Sequence, residues 1–390
     1  MIEQSNHTMR QGTSDDLLSS KSNSKRDTAR TTVVVVGASL AGLMSALALS
    51  RLGLHVTMLE RSDRKSRTGA ALEVSEGLLE RLIGRHGNVG TDTLPSGAQA
   101  WSDVHAGLRA AAEADPNICI RSPVRVALVD QDERGAWVVA ENGQVVGGDI
   151  VVGADGHASV VRRHVAPERP YAKFAGYLIW LGLVDEHPIR SRPWPSNLAI
   201  LYERNYCLNA YYLPGAGGAL GAGKRRIGWG WYDAGQNDLL RGTGCLVGNI
   251  VKRTLRPDKV PGSTFDRLAA EARKIWPDPW REAILHCVER REVIGTPVAE
   301  YMPERLARGR VCLVGDAAHV PSPMTGRGFA ASAQDALALA EALERDMLVR
   351  GVKDALGRYE GKRLKAARDL VMSGQSFSRS FVRDHMGFYA

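Results

Sequence analysis

The stretch that most limits the fold of this chain is Thr31–Glu60, TTVVVVGASLAGLMSALALSRLGLHVTMLE. Val33–Val36 is a β-branched run suited to a strand buried on both faces, and Leu40–Leu52 keeps apolar residues at helical spacing. A second strand follows at Val56–Leu59. Strand, tight turn, helix and strand in this order open a nucleotide-binding α/β sheet. Gly37, Ser39 and Gly42 take the three turn positions, with Leu40 and Ala41 between them at the helix start. There, backbone N–H groups and the positive helix end meet a pyrophosphate. Glu60 is then placed to accept hydrogen bonds from ribose hydroxyls. Ser39 replaces the usual second glycine, and its small side chain narrows the backbone approach without blocking it. A βαβ start of this kind also occurs in α/β proteins that bind nothing there, and it does not separate FAD from NAD.

The 390 residues are enough for two domains with a substantial core. With 44% hydrophobic and 24% charged residues, the composition is that of an ordinary soluble globular protein. A net charge of +8 would by itself suggest nucleic acid, but Lys and Arg are scattered without interleaved aromatics. An anionic cofactor, or a plain basic surface, is the simpler reading. Cys119, Cys207, Cys245, Cys287 and Cys312 lack metal-ligand spacing and read as reduced thiols of a cytoplasmic protein. Residues 1–30 are polar and read as a disordered tail. No apolar span is long enough for a bilayer and no signal-peptide pattern opens the chain, so neither membrane insertion nor secretion is expected.

Past Glu60, the small residues of Gly69–Leu72 either approach something flat or form a plain surface loop. Helical spacing returns at Leu78–Ile83 and from Trp101 to Ala112, where Ser102 or Asp103 would cap. Cys119–Val129 and Ala136–Ala140 read as strands, with ENGQ at 141–144 as a hairpin turn. A short strand, Ile150–Val152, runs into Gly153-Ala154-Asp155-Gly156. Asp155 stands either where open parallel sheets bind ligands or as a helix cap. From Tyr171 to Glu292 the character changes: Tyr177–Val184, Leu198–Tyr202, Tyr206–Tyr212 and Arg226–Tyr232 suggest an antiparallel sheet, set against helices at Phe265–Trp276 and Trp280–Glu289. Residues 203–205 make a hairpin loop, and Ile227, Trp229 and Trp231 share one face, either core or the wall of a ring-shaped pocket. Finally, a strand at Val311–Val314 leads to Gly315-Asp316 and a helix at Ala330–Met347. Between them Pro321, Pro323, Gly326 and Gly328 hold an extended loop. Its amides near Gly326–Phe329 either face an anionic ring oxygen or simply start the helix. Leu356–Ser373 reads as an outer helix.

Three stretches in this order, Gly37–Gly42 with Glu60, Asp155-Gly156, and Gly315-Asp316 with PSPMTGRG, resemble the flavin-dependent aromatic hydroxylases of the p-hydroxybenzoate hydroxylase type. The resemblance covers nearly all of Thr31–Leu370, and YLIWLGLVDE and RRIGWGWYD are most similar to the dihydroxypyridine and hydroxynicotinate monooxygenases. It implies an α/β fold: a Rossmann-like FAD-binding domain, an inserted antiparallel β-sheet substrate domain and C-terminal helices. The expected divisions are 31–170 and 293–347 for the two parts of the FAD-binding domain, 171–292 for the substrate domain and 348–390 for the helical end.

The same resemblance implies that Gly37, Ser39, Leu40, Ala41, Gly42, Glu60 and Arg61 hold the adenosine diphosphate of FAD, with Val126 near the adenine. Asp155 would act through its turn, Gly315 and Asp316 would hold the ribityl and phosphate groups, and Pro323, Gly326, Arg327, Gly328 and Phe329 would border the isoalloxazine. Tyr211, Trp229 and Met324 are candidate pocket walls. NADPH or NADH would reduce the flavin, O2 would add at its C4a carbon, and one oxygen would pass to an electron-rich aromatic or N-heteroaromatic ring. No catalytic side chain and no metal is required, and His319 reads as a packed histidine rather than a base. Leu181 stands where the pyridine hydroxylases often have arginine, and Met324 where they often have histidine, so a larger or greasier substrate is expected. Rival readings are Baeyer–Villiger insertion or ring opening of a carbonyl compound, a non-oxygenating flavin dehydrogenase or reductase, and a nucleotide-binding regulatory protein. Expected partners are a small ring substrate, neither nucleic acid nor membrane, and at most a second copy of the chain in a homodimer.

Overall fold

A computed structural model describes residues 31–62, 71–84, 94–191, 198–203 and 206–386. The expected disordered tail at 1–30, the Gly69-Ala70 pair and hairpin residues 204–205 lie outside the described residues. The strands, in chain order, begin with Thr32–Val36 (β1), His55–Leu59 (β2), Ala71–Val74 (β3), Gly97–Ala100 (β4), Ile118–Arg121 (β5), Val126–Gln131 (β6), Ala136–Ala140 (β7), Val145–Gly148 (β8) and Ile150–Gly153 (β9). They continue with Lys173–Asp185 (β10), Ala199–Glu203 (β11), Tyr206–Leu213 (β12), Arg226–Asp233 (β13), Leu246–Val247 (β14), Ile250–Val251 (β15), Ile294–Glu300 (β16), Ala307–Arg308 (β17) and Val311–Leu313 (β18). The helices are Leu40–Ser50 (α1), Leu78–Ile83 (α2), Trp101–Ala114 (α3), Val161–Val165 (α4), Asn237–Gly242 (α5), Gly262–Ile275 (α6), Trp280–Glu289 (α7), Gly328–Arg350 (α8) and Val352–Met386 (α9).

The first sheet runs β17-β18-β9-β1-β2-β5 and is parallel apart from β17. β1 lies in its interior with Val33–Val36 buried, as a strand covered on both faces must be. Pairing of β1 with β2 on one side and β9 on the other brings the ends of all three strands together beside the turn at Gly37. The second sheet is antiparallel, β11-β12-β13-β10-β16. It takes in Ile294–Glu300, past the boundary at 292 expected from the sequence. One face of it packs on α6 and α7 through Trp180, Trp231, Trp276 and Trp280. The other carries Tyr177, Ile179, Cys207 and Tyr232 and meets Phe377, Phe381 and Met324. The architecture is thus an α/β parallel-sheet domain, an antiparallel-sheet domain and C-terminal helices.

Some local expectations change. Cys119–Val129 is not one strand: β5 belongs to the parallel sheet, whereas β6 opens a three-stranded antiparallel sheet with β7 and β8. Pro123 lies between them and has no N–H to extend a ladder. Ser102 and Asp103 do not cap α3; Ala100 holds the N-cap position and the two polar residues fall in the first turn. The outer helix extends well beyond Ser373, to Met386.

Candidate cofactor and substrate site

The turn after β1 is built so that no side chain fits in it. Gly37 has φ +103°, and a Cβ there would lie 2.5 Å from the Ala154 carbonyl oxygen. At Gly42 a Cβ would lie 2.0 Å from the Gly37 oxygen, so α1 can start this close to the strand only with glycine. Ser39 is the N-cap of α1 in extended conformation, and its hydroxyl makes no capping bond. Glu60 sits at the end of β2, its carboxylate accepting from Ala38 N at 2.8 Å and Ser62 N at 3.0 Å. Arg61 beside it is exposed. His105, stacked on Trp101, supports the turn from α3 through its Nε2, 3.1 Å from the Ala38 oxygen. Val126 is buried in the core; the Glu60 backbone is bonded on one side by Val124, whose N–H donates to the Glu60 oxygen at 2.7 Å, and on the other by Arg121, whose oxygen accepts from Glu60 N at 2.9 Å.

The late turn meets the early one. Gly315, φ +57°, faces Ala41 so closely that a Cβ would lie 2.5 Å from the Ala41 Cβ. Behind it, Asp335 of α8 is fully buried and accepts from Gly315 N at 3.0 Å, His319 Nε2 at 2.7 Å and Arg363 Nε at 2.8 Å. Burial alone would push His319 down and Asp335 up, but each overrides that cost in the other: His319 is raised and Asp335 lowered. His319 is therefore a packed, paired histidine. Asp316, by contrast, is exposed at the turn. Its backbone oxygen, with those of Ala317, His157 and Pro170, is gripped by the buried Arg162 guanidinium, which also lies 4.1 Å over the Tyr301 ring. Arg162 thereby ties the Asp155-Gly156 turn to the Gly315-Asp316 turn. The Asp155 carboxylate itself accepts from Ser159 Oγ and from the N–H groups of Val160 and Val161, so it serves the start of α4 and leaves only the turn's backbone to a ligand.

Beyond Asp316, Pro323–Thr325 forms one tight 3-10 turn that Ser322 caps by accepting from Met324 N. Pro323, Gly326 and Arg327 are exposed, Gly328 opens α8 and Phe329 is buried. The second sheet presents to this loop the face opposite α6 and α7. Strand register aligns Leu181, Gly230 and Asn209 across it, and beside them Leu183, Gly228 and Tyr211. Asn209 Nδ2 lies 3.5 Å from the Met324 sulfur and 3.3 Å from the Tyr232 hydroxyl. Tyr211 lies over Gly228, where a Cβ would stand 2.3 Å from its ring. Burial holds the Tyr211 phenol up at about 12, so it is neutral at ordinary pH. Leu181, Tyr211 and Met324 are thus brought to one side.

Trp229 is not with them. Its indole lies on Gly182 in the core against α6 and α7, with 1% exposure, so the candidate wall is a core residue. Asn209 and Tyr232 were passed over by the sequence reading; the signal was their alternation with Leu208 and Trp231 along strands whose other face is apolar core. Phe377 and Phe381 were also missed, because the last helix was ended too early.

The FAD binding domain family matches residues 30–87 and 255–373, the two segments that supply the early turn and the late turn with its loop. The 2,6-dihydroxypyridine 3-monooxygenase of Paenarthrobacter nicotinovorans is 25% identical over 357 residues, covering 85% of this chain and 87% of the relative. The FAD-dependent urate hydroxylase of Klebsiella pneumoniae subsp. pneumoniae is 25% identical over 375 residues, 88% of each. In fold, the chain is similar to 2,6-dihydroxypyridine-3-hydroxylase from Arthrobacter nicotinovorans, with a TM-score of 0.75 at 21% identity over 90% of this chain and 93% of that one. It is also similar to Klebsiella pneumoniae HpxO complexed with FAD and uric acid, with a TM-score of 0.64 at 18% identity over 92% of both. The side-chain-free cradle at Gly37, Gly42 and Gly315 and the exposed Asp316 fit that cofactor, so the chain carries a FAD binding domain and is similar along most of its length to FAD-dependent aromatic hydroxylases.

Proposed function

We propose that this monooxygenase acts on an electron-rich aromatic or N-heteroaromatic ring larger and more apolar than a bare hydroxypyridine, held between the Pro321–Phe329 loop and the Leu181–Asn209–Tyr211 face of the second sheet. The observation that carries this is Met324 of the loop lying 3.5 Å from Asn209, on the same sheet face as Leu181 and Tyr211, while the convergence of Gly315 on Ala41 joins that loop to the Gly37 turn. Gly37, Ser39, Leu40, Ala41 and Gly42 present α1's first amides to the pyrophosphate, and Glu60 with Arg61 takes the adenosine end. Asp316 accepts from the ribityl hydroxyls, while Pro323 and Gly326–Phe329 border the ring. Bound FAD supplies the redox and oxygen chemistry, with NADPH or NADH as reductant. The protein's part is to exclude water and to aim the substrate.

Leu181 and Met324 give the pocket apolar walls, and Asn209 gives it one amide for a ring hydroxyl or ring nitrogen. No described side chain in the pocket is poised as a base, and an acidic ring hydroxyl needs none. All named residues come from one chain, so either a monomer or a homodimer can carry the site. The cysteines are all free, which fits a reducing, cytoplasmic setting. The test is reconstitution with FAD, then a panel of phenols, hydroxypyridines, hydroxyquinolines and bicyclic lactams scored for stimulated NAD(P)H oxidation and for label from 18O2 in the product. Stimulation by bicyclic ring compounds with one labelled oxygen added to ring carbon is expected. Insertion beside a carbonyl, or reduction without oxygen uptake, would overturn it.

A further inference from the structure

Four side chains from separate parts of the chain form a single hydrogen-bonded line that the reading above does not use. Met324 N donates to Ser322 Oγ at 3.3 Å; Ser322 Oγ and the Tyr177 hydroxyl are 2.9 Å apart; Tyr177 and Ser378 Oγ are 3.2 Å apart. Ser378 Oγ then donates to Glu300 Oε1 at 2.6 Å. An amide can only donate and a carboxylate can only accept, so the two ends fix the direction. Each hydroxyl accepts from the loop side and donates toward Glu300. Ser322, Tyr177 and Ser378 are buried, and Glu300 at the outer end is half-buried. The helix that carries Ser378 touches the loop directly as well: a Cβ at Gly374 would lie 2.8 Å from Ser322 N. Loop and helix therefore cannot shift independently.

We propose that Glu300 is a positioning residue of this enzyme, its carboxylate holding the Pro321–Gly328 loop in its flavin-binding geometry through Ser378, Tyr177 and Ser322. The inference rests on the assignment of that loop to the flavin ring. When Glu300 takes up a proton, the outer end no longer has to accept, the line loses its fixed direction, and Ser322 holds the Met324 turn less firmly. Burial raises Glu300 from its ordinary value, so this loss sets in at a higher pH than it would for an exposed glutamate. The charged and titratable groups facing Glu300 are Lys173, its cross-strand partner on β10, Arg379 on α9, and Tyr177. Arg379 favours the ionised form; the Tyr177 phenol, pushed up to about 12 by burial, stays neutral throughout.

The experiment measures the Kd for FAD, and the visible circular dichroism of the bound flavin, at pH 8 and pH 5. The wild type, Glu300→Gln, Ser378→Ala and Ser378→Thr are compared. The wild type should weaken about fivefold on acidification, whereas Glu300→Gln, which keeps an accepting oxygen but cannot titrate, should stay within about twofold of its pH 8 value. Ser378→Ala should be weaker at both pH values, and Ser378→Thr, which restores the hydroxyl, should recover the wild-type profile. An acid step in Glu300→Gln equal to that of the wild type, or wild-type affinity in Ser378→Ala at both pH values, would overturn the proposal. Failure of the wild type to bind FAD at pH 8 is a different result: it removes the flavin assignment and this inference with it.

Discussion

At the scale of single residues, the groups exposed at the turns are separate from the buried groups that hold those turns in place. Asp316 is exposed at a turn whose backbone is already fixed by Arg162 and Asp335, so its carboxylate contributes little to the fold. Asp316→Ala should weaken FAD binding about tenfold, roughly 1.4 kcal/mol, by isothermal titration. Its melting temperature should stay close to wild type. Asp335 is the converse. Asp335→Asn leaves Arg363 buried without its partner and should lose on the order of 3–5 kcal/mol in denaturant unfolding. The pair also sets a pH dependence. His319 is raised above its ordinary 6.5, so its contribution is complete below that value and is lost as pH rises through the higher folded-state value. Thermal scans of the holoenzyme from pH 6 upward should show the wild type losing melting temperature that His319→Asn, lower throughout, does not lose.

At the scale of elements, β13 carries the lesson about what the sequence could reveal. The run RIGWGWY announces a strand with two faces, and the large indoles draw attention to the wrong one. Trp229 and Trp231 are large enough to fill the space under α6 and α7, and Gly182 across the register receives the first of them. The face proposed for the ring substrate is the one with glycines, where Tyr211 lies flat on the backbone at Gly228. Parity along the strand was legible; which parity faced the helices was not, because it depends on partners more than 30 residues away. The glycine turn, Glu60 and the Gly315-Asp316 turn were legible because each is a local backbone requirement. Arg162 and Asn209 were not, since an arginine in a short helix or an asparagine in a strand acquires meaning only from its tertiary neighbours. Two variants separate the faces. Trp229→Ala should cost about 3–5 kcal/mol of stability with FAD affinity retained. Gly228→Ala should displace the Tyr211 ring and lower kcat/KM for whichever ring compound the panel identifies, with an unchanged flavin spectrum.

At the scale of the whole molecule, the parallel sheet is interrupted in sequence and restored in space. β9 has β1 on one side and waits for β18, which is separated from it by the entire second sheet and by α6 and α7. The cradle inherits that delay, since one wall is made of Gly37–Gly42 and the other of Gly315–Phe329. A ribosome extending this chain therefore adds more than 270 residues after Gly42 before it reaches Gly315 and the second wall. Until β18 emerges, the edge of β9 that it covers has no partner, and the early glycine turn stands alone without the loop that faces it in the finished molecule.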